Sequence, residues 1–117
     1  MGRANVDSFL GYFTIPGASH CSLSVNNAPW NFGGSGHTYF GYFDDALGFV
    51  NDANHNAVKA LMQWVEEAVA PKFLVATQFR NNIPAQGIDS QRPFCRYPER
   101  AKYVGGDVTK EASWRCP

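Results

Sequence analysis

One segment restricts the folding of this chain more than any other. Between Asp52 and Pro71 the apolar residues Val58, Leu61, Met62, Val65 and Val69 recur at the spacing of a single helix face. Lys59, Gln63, Glu66 and Glu67 point in other directions, which predicts a helix with one side packed and the rest in solvent. Asp52 or Asn54 is placed to cap its start. Ala70-Pro71 stops it after about Val69, since proline lacks the amide that a continuing helix needs. The β-branched run Phe73-Leu74-Val75-Ala76-Thr77 then reads as a strand.

The other signals are shorter. Asn5 to Leu10 is compatible with a helical turn or two, and Tyr12-Phe13-Thr14-Ile15 reads as a short buried strand ended by Pro16-Gly17. Ala18-Ser19-His20-Cys21 therefore follows a strand end, a place where α/β enzymes present polar groups on a rigid scaffold. From Ser22 to Gly41 the sequence reads as a long loop, with Gly33-Gly34-Ser35-Gly36 and many aromatics; its aromatic density argues against disorder. The tail from Gln78 is rich in Asn, Pro, Gly and Arg and reads as irregular. In it, Lys102-Tyr103-Val104 forms a short strand and Asp107 caps a last turn through Ala112. This order is mixed α/β with too few strands for a complete doubly wound sheet.

Composition removes several function classes. Of the 117 residues, 44% are hydrophobic, 15% aromatic and 17% charged, which is too apolar for a disordered chain and too interrupted for a membrane span. Ten Lys+Arg balance ten Asp+Glu, so no net field draws the chain to phosphate backbones or anionic lipid, and neither nucleic acid nor membrane is expected as a partner. The opening MGRANVDSFLGYF contains no long apolar run of the signal-peptide kind, so the signal of a secreted form is expected upstream.

Cys21, Cys95 and Cys116 make an odd count, which in an oxidising compartment means a free thiol or a bond to a cysteine outside the chain. No C-x-x-C pair supports a zinc ribbon or a thioredoxin-like site. His20, His37 and His55 lie far apart in different local contexts, so no metal site is expected from them. His55, in the predicted helix's first turn, reads as a solvated surface residue, and His37 as a loop residue or a pocket lining. His20 has two open readings: a ring satisfied by local hydrogen bonds, or a general base held in fixed orientation by its loop.

The segment Ile15-Pro16-Gly17-Ala18-Ser19-His20-Cys21 resembles the His-Cys segment of the tannase and feruloyl esterase family. Further matches follow in the family's order. Ala28-Pro29-Trp30-Asn31-Phe32-Gly33 is similar to its aromatic loop, and Ala60 to Glu66 followed by Ala70-Pro71 to its late helix. Val75-Ala76-Thr77, Arg92-Pro93-Phe94-Cys95-Arg96-Tyr97-Pro98, Lys102-Tyr103 and Gly106-Asp107 through Cys116 complete the series. The resemblance covers nearly the whole chain.

It implies an α/β-hydrolase with a Ser, Asp and His triad, of which residues 1–117 are the C-terminal portion of a single catalytic domain. The lid domain and the half bearing the nucleophile are expected outside this sequence. By position, His20 is the implied general base, and Cys21 the implied partner of a cysteine beside the upstream serine. Cys95 and Cys116 are implied to pair with each other. The implied activity is carboxylic ester hydrolysis on aromatic acid esters, such as phenolic or plant cell-wall esters, by a secreted, extracellular enzyme. No cofactor is expected in this chain, the family's calcium belonging to the lid domain. Chain order in α/β-hydrolases runs Ser, acid, His. The only upstream candidates, Ser8, Ser19 and Asp7, lack the family's surroundings, so the chain alone is expected to be inactive.

Two departures stand out. The family's Gly-Met-x-His-Cys is Gly17-Ala18-Ser19-His20-Cys21 here, and Arg96 stands where a proline is common. The stretch from Gly34 to Asn51 matches poorly, leaving feruloyl and galloyl esters both open. Two rival readings are a non-catalytic truncated remnant and a small secreted binding module. In the latter, Trp30, Phe32, Tyr39 and Tyr42 form an aromatic platform; packing of the same residues in a core is the alternative to that platform.

Overall fold

The structure, a computed structural model, describes residues 2–16, 18–19, 22–24, 29–32 and 48–117. In chain order these form helix α1 (Arg3–Asp7), strands β1 (Ala18–Ser19) and β2 (Ser22–Ser24), helix α2 (Ala57–Glu67), strands β3 (Phe73–Phe79) and β4 (Ile88–Cys95), strand β5 (Lys102–Tyr103), and strand β6 (Trp114–Arg115). Short 3-10 turns occupy Arg80–Asn82, Pro84–Gln86 and Glu111–Ser113. The architecture is mixed helix and strand, and every strand pair among the described residues is antiparallel.

The β3–β4 hairpin is the centre. Val75, Ala76 and Thr77 of β3 are at most 1% exposed, since β4 covers one edge and other segments the second. On that second edge Asn31 and Thr77 exchange backbone hydrogen bonds, Thr77 N–H donating to the Asn31 carbonyl at 2.7 Å and Asn31 N–H to the Thr77 carbonyl at 3.1 Å. The Val75 N–H donates to the Asn54 carbonyl at 2.7 Å. The aromatic segment around Trp30 is thus laid along β3 as if it were a third strand, with Trp30 and Asn31 buried. Phe79, at the end of β3, packs against Phe49 and Ile88.

β4 corrects the reading of the tail as irregular. Its sequence, IDSQRPFC, places Asp89, Ser90 and Gln91 on a half-open strand and carries a proline, so neither alternation nor β-branching announces it. Pairing with the strongly apolar β3 decides the conformation. The 102–104 strand survives as the two-residue β5, paired with β6. Between them Gly105 and Gly106 take φ of 110° and 98°, backbone that side chains rarely adopt. A Cβ on Gly106 would also meet the Ser113 hydroxyl at 3.0 Å.

Other expectations are also revised. The stretch Tyr12 to Ile15 is no buried strand: Phe13 makes one isolated bridge to Arg96, and Tyr12 is exposed. The loop expected from Ser22 begins instead with β2, paired with β1. Helix α2 starts later than expected. Its cap is Asn56, whose side-chain oxygen accepts from the Val58 and Lys59 amides at 3.0 and 3.3 Å. Ala68, at φ 58°, ends it in the left-handed region.

The largest revision concerns how α2 packs. Val58, Leu61, Met62, Val65 and Val69 are all exposed, between 49% and 77%. The helix meets the body through Ala60, which is buried, and through Trp64, which stacks under the Arg96 guanidinium at 5.6 Å. At 3.6 residues per turn, Ala60 and Trp64 lie on the side opposite the apolar stripe. The stripe is real, but nothing among the described residues covers it.

Candidate functional site

His20 and Cys21, the residues that the sequence singles out, lie outside the described residues, as do His37, Tyr39 and Tyr42. What the structure describes is how the chain on either side of them is held. Upstream, α1 and residues 8–16 are fastened by Arg96. Its Nη2 donates to the Asp7 carbonyl at 2.6 Å and also to the Leu10 carbonyl. The Tyr97 N–H donates to the Tyr12 carbonyl at 2.8 Å, and the Tyr12 and Tyr97 rings meet edge to face. The Arg96 guanidinium supplies donors to the carbonyl of Asp7, the last residue of α1, and to that of Leu10 beyond it. Downstream, β1 and β2 flank positions 20 and 21 in sequence, with Ala18 opposite Ser24 and Ser19 opposite Ser22.

The upstream polar residues have structural occupations. Ser8 Oγ donates to the Asn5 carbonyl at 2.6 Å, as a helix-end side chain does, and the Asp7 carbonyl serves Arg96.

Of the four aromatic residues expected to form a platform, Trp30 and Phe32 are described. Trp30 is only 3% exposed and Phe32 is half-buried, so the core reading holds for Trp30. A groove of about 170 Å³ beside the tail is lined by Phe73, Val75, Pro93, Glu111, Trp114 and Cys116, among others. This is smaller than the roughly 300 Å³ at which sites for small organic ligands begin. Among the described residues no three His, Cys, Asp or Glu side chains cluster to hold a metal ion, and no helix is long and apolar enough to cross a membrane.

Cys95 and Cys116 are joined in a disulfide with Cα atoms 5.5 Å apart. The bond ties the end of β4 to the end of the chain. Beside it, the Arg92 guanidinium lies 4.3 Å over the Trp114 ring, and Trp114 packs against Tyr103.

His55 overturns its expected solvation. It is 7% exposed, and both ring nitrogens meet carboxylates: Nδ1 lies 2.6 Å from Asp52 Oδ1, and Nε2 lies 2.6 Å from Glu111 Oε2. Asp52 Oδ1 also accepts from the Asn54 and His55 amides at 3.0 and 3.1 Å, so the residue expected to cap α2 caps the turn before it. Burial works against the charged ring. The hydrogen bonds and charges of Glu111 and Asp52 outweigh it and hold the His55 pKa above its ordinary value. For Asp52 the opposition is the same: burial would raise its pKa, and the bond to His55 lowers it. Sequence reasoning missed this cluster because Glu111 is 56 positions from His55 and only the folded tail brings them together.

Comparison with known proteins decides the kinship. The family model described as tannase and feruloyl esterase matches residues 1–117. The chain belongs to the tannase and feruloyl esterase family. Feruloyl esterase C of Talaromyces stipitatus is 36% identical over 112 residues, a span covering 95% of this chain and 19% of that protein. Among solved structures of this esterase family, the crystal structure of feruloyl esterase B from Aspergillus oryzae superposes with a TM-score of 0.75 at 31% identity, covering 100% of this chain and 20% of that one. An esterase from Aspergillus oryzae gives a TM-score of 0.76 at 29% identity, covering 99% and 21%. The chain therefore spans about a fifth of the length of the feruloyl esterases that it matches.

Proposed function

We propose that this chain is the part of a carboxylic ester hydrolase, of feruloyl esterase or tannase type, that carries the catalytic histidine. The observation that carries the reading is the family match over residues 1–117, a span that includes His20-Cys21, the pair whose surroundings resemble the family's His-Cys segment. In this reading residues 1–117 complete an α/β-hydrolase domain, and the serine, the acid and the lid come from sequence beyond them. The exposed apolar stripe of α2 supports it, because Val58, Leu61, Met62 and Val65 form a face of the kind that a larger domain buries. So does the length of the relatives, about five times that of the chain.

The chemistry is acyl transfer. His20 takes the proton of the serine hydroxyl as that oxygen attacks the ester carbonyl, then returns it to the departing alcohol. Water, activated by the same imidazole, releases the aromatic acid. Cys21, bonded to a cysteine beside the serine, holds base and nucleophile in register. The substrates are phenolic esters of the feruloyl or galloyl kind, met outside the cell after secretion.

The test is a chimera in which residues 1–117 replace the matching C-terminal fifth of Aspergillus oryzae feruloyl esterase B. The chimera is expected to hydrolyse methyl ferulate, and His20→Gln within it to lower kcat by about 10³-fold or more. The 117-residue chain by itself is expected to show no hydrolysis. A folded chimera that keeps its rate after His20→Gln, or serine-dependent hydrolysis by the isolated chain, overturns the proposal.

A further inference from the structure

Three features of the His55 cluster belong together. The ring is buried at 7% exposure, with Phe49 edge to face against it at 5.9 Å between centroids. Its two nitrogens each face a carboxylate oxygen at 2.6 Å. Those carboxylates come from two segments far apart along the chain: Asp52 from the turn before α2, and Glu111 from the 3-10 turn just ahead of β6.

A neutral imidazole carries a single N–H and can donate to one partner only. With both nitrogens at 2.6 Å from carboxylate oxygens, a neutral ring would set one nitrogen lone pair against an anionic oxygen. The imidazolium donates to both. Among the described residues the charged groups acting on the ring are Asp52 and Glu111, and the imidazolium gives one N–H to each.

We propose that His55 is a proton-dependent latch that fastens the C-terminal tail to the segment leading into helix α2. The tail is also tied covalently, through Cys95–Cys116, and by backbone bonds such as Gln91 N–H to the Thr109 carbonyl at 2.9 Å. The latch is the tie that responds to pH. It is closed while the ring holds its proton. As pH rises through the ring's raised pKa, the proton leaves, one bond of the pair is lost and a carboxylate faces a nitrogen lone pair. The direction is that of any group whose pKa is higher folded than unfolded: stability is fully present below the ordinary histidine value of about 6.5 and is lost as pH rises through the folded one. Glu111 moves with Ala112 and Ser113, whose turn pairs with Val104 through the Val104 N–H and the Ser113 carbonyl, so an open latch loosens the β5–β6 end of the tail first.

Nuclear magnetic resonance on the 117-residue chain tests this. The His55 ring is expected to titrate above the ordinary value, and in Glu111→Gln to shift downward toward it. Protection of the Val104 and Ser113 amides against hydrogen exchange, corrected for intrinsic rate, is expected to fall across that titration by about tenfold for each unit of the ring's pKa elevation. In Glu111→Gln that dependence is expected to vanish while β3 and β4 keep their protection. A His55 ring that titrates at or below its ordinary value overturns the proposal, and so does tail protection independent of pH in the unmodified chain.

Discussion

Individual side chains determine where the local elements begin and how they are joined. Asn56 caps α2 although Asp52 and Asn54 are equally good capping types, because the turn at 52–55 is occupied by the bond from Asp52 to His55. Asn56→Ala is expected to cost about 1 kcal/mol by urea unfolding, the usual loss when a side-chain cap is removed. Asn54→Ala should cost much less, since the contact of residue 54 to β3 is made by its backbone. Arg96 illustrates the same principle across a longer distance: one guanidinium reaches the carbonyl of Asp7 at the end of α1, that of Leu10 beyond it, and the ring of Trp64. The Cys95–Cys116 pair was legible from the resemblance. The His55 cluster was not, because an Asp, a His and a distant Glu carry no sequence signature of their meeting.

Periodicity correctly announced that α2 exists and nearly where it ends, since Pro71 leaves little freedom. It also identified the apolar stripe, but not what the stripe touches. Leu61 and Val65 are 57% and 77% exposed, so replacing both with Glu is expected to alter the stability of this chain by less than about 0.5 kcal/mol per residue. In the chimera described above, the same pair should bury two charges against the rest of the domain and abolish folding or activity. Thermal melts of both proteins measure the contrast; equal sensitivity in the two would show that the stripe is covered within the chain itself. β3 was legible because its residues are apolar and β-branched. β4 was not, because its polar half owes its conformation to the strand beside it.

At the scale of the whole molecule, the described residues are held by the β3–β4 hairpin, the segments laid along the second edge of β3 and the closure of the tail. The disulfide spans 21 positions, and constraining the unfolded chain over that distance contributes on the order of 3 kcal/mol. Replacing Cys95 and Cys116 together with Ser is expected to lower unfolding free energy by about that amount in urea, with the loss concentrated in the tail. A change below about 1 kcal/mol would place the closure of the tail in its non-covalent contacts instead.

The sequence by itself determined the family, the helix and its apolar stripe, the central strand β3 and the segment in which the catalytic histidine is proposed, because each is written in residues that are close neighbours along the chain. Only the tertiary structure decided that the stripe faces outward, that a polar segment becomes β4, that Trp30 is core, and that His55 is a buried bridge between two carboxylates. These outcomes depend on which surfaces meet after folding, and burial and charge pairing between residues tens of positions apart leave no periodic trace in the sequence.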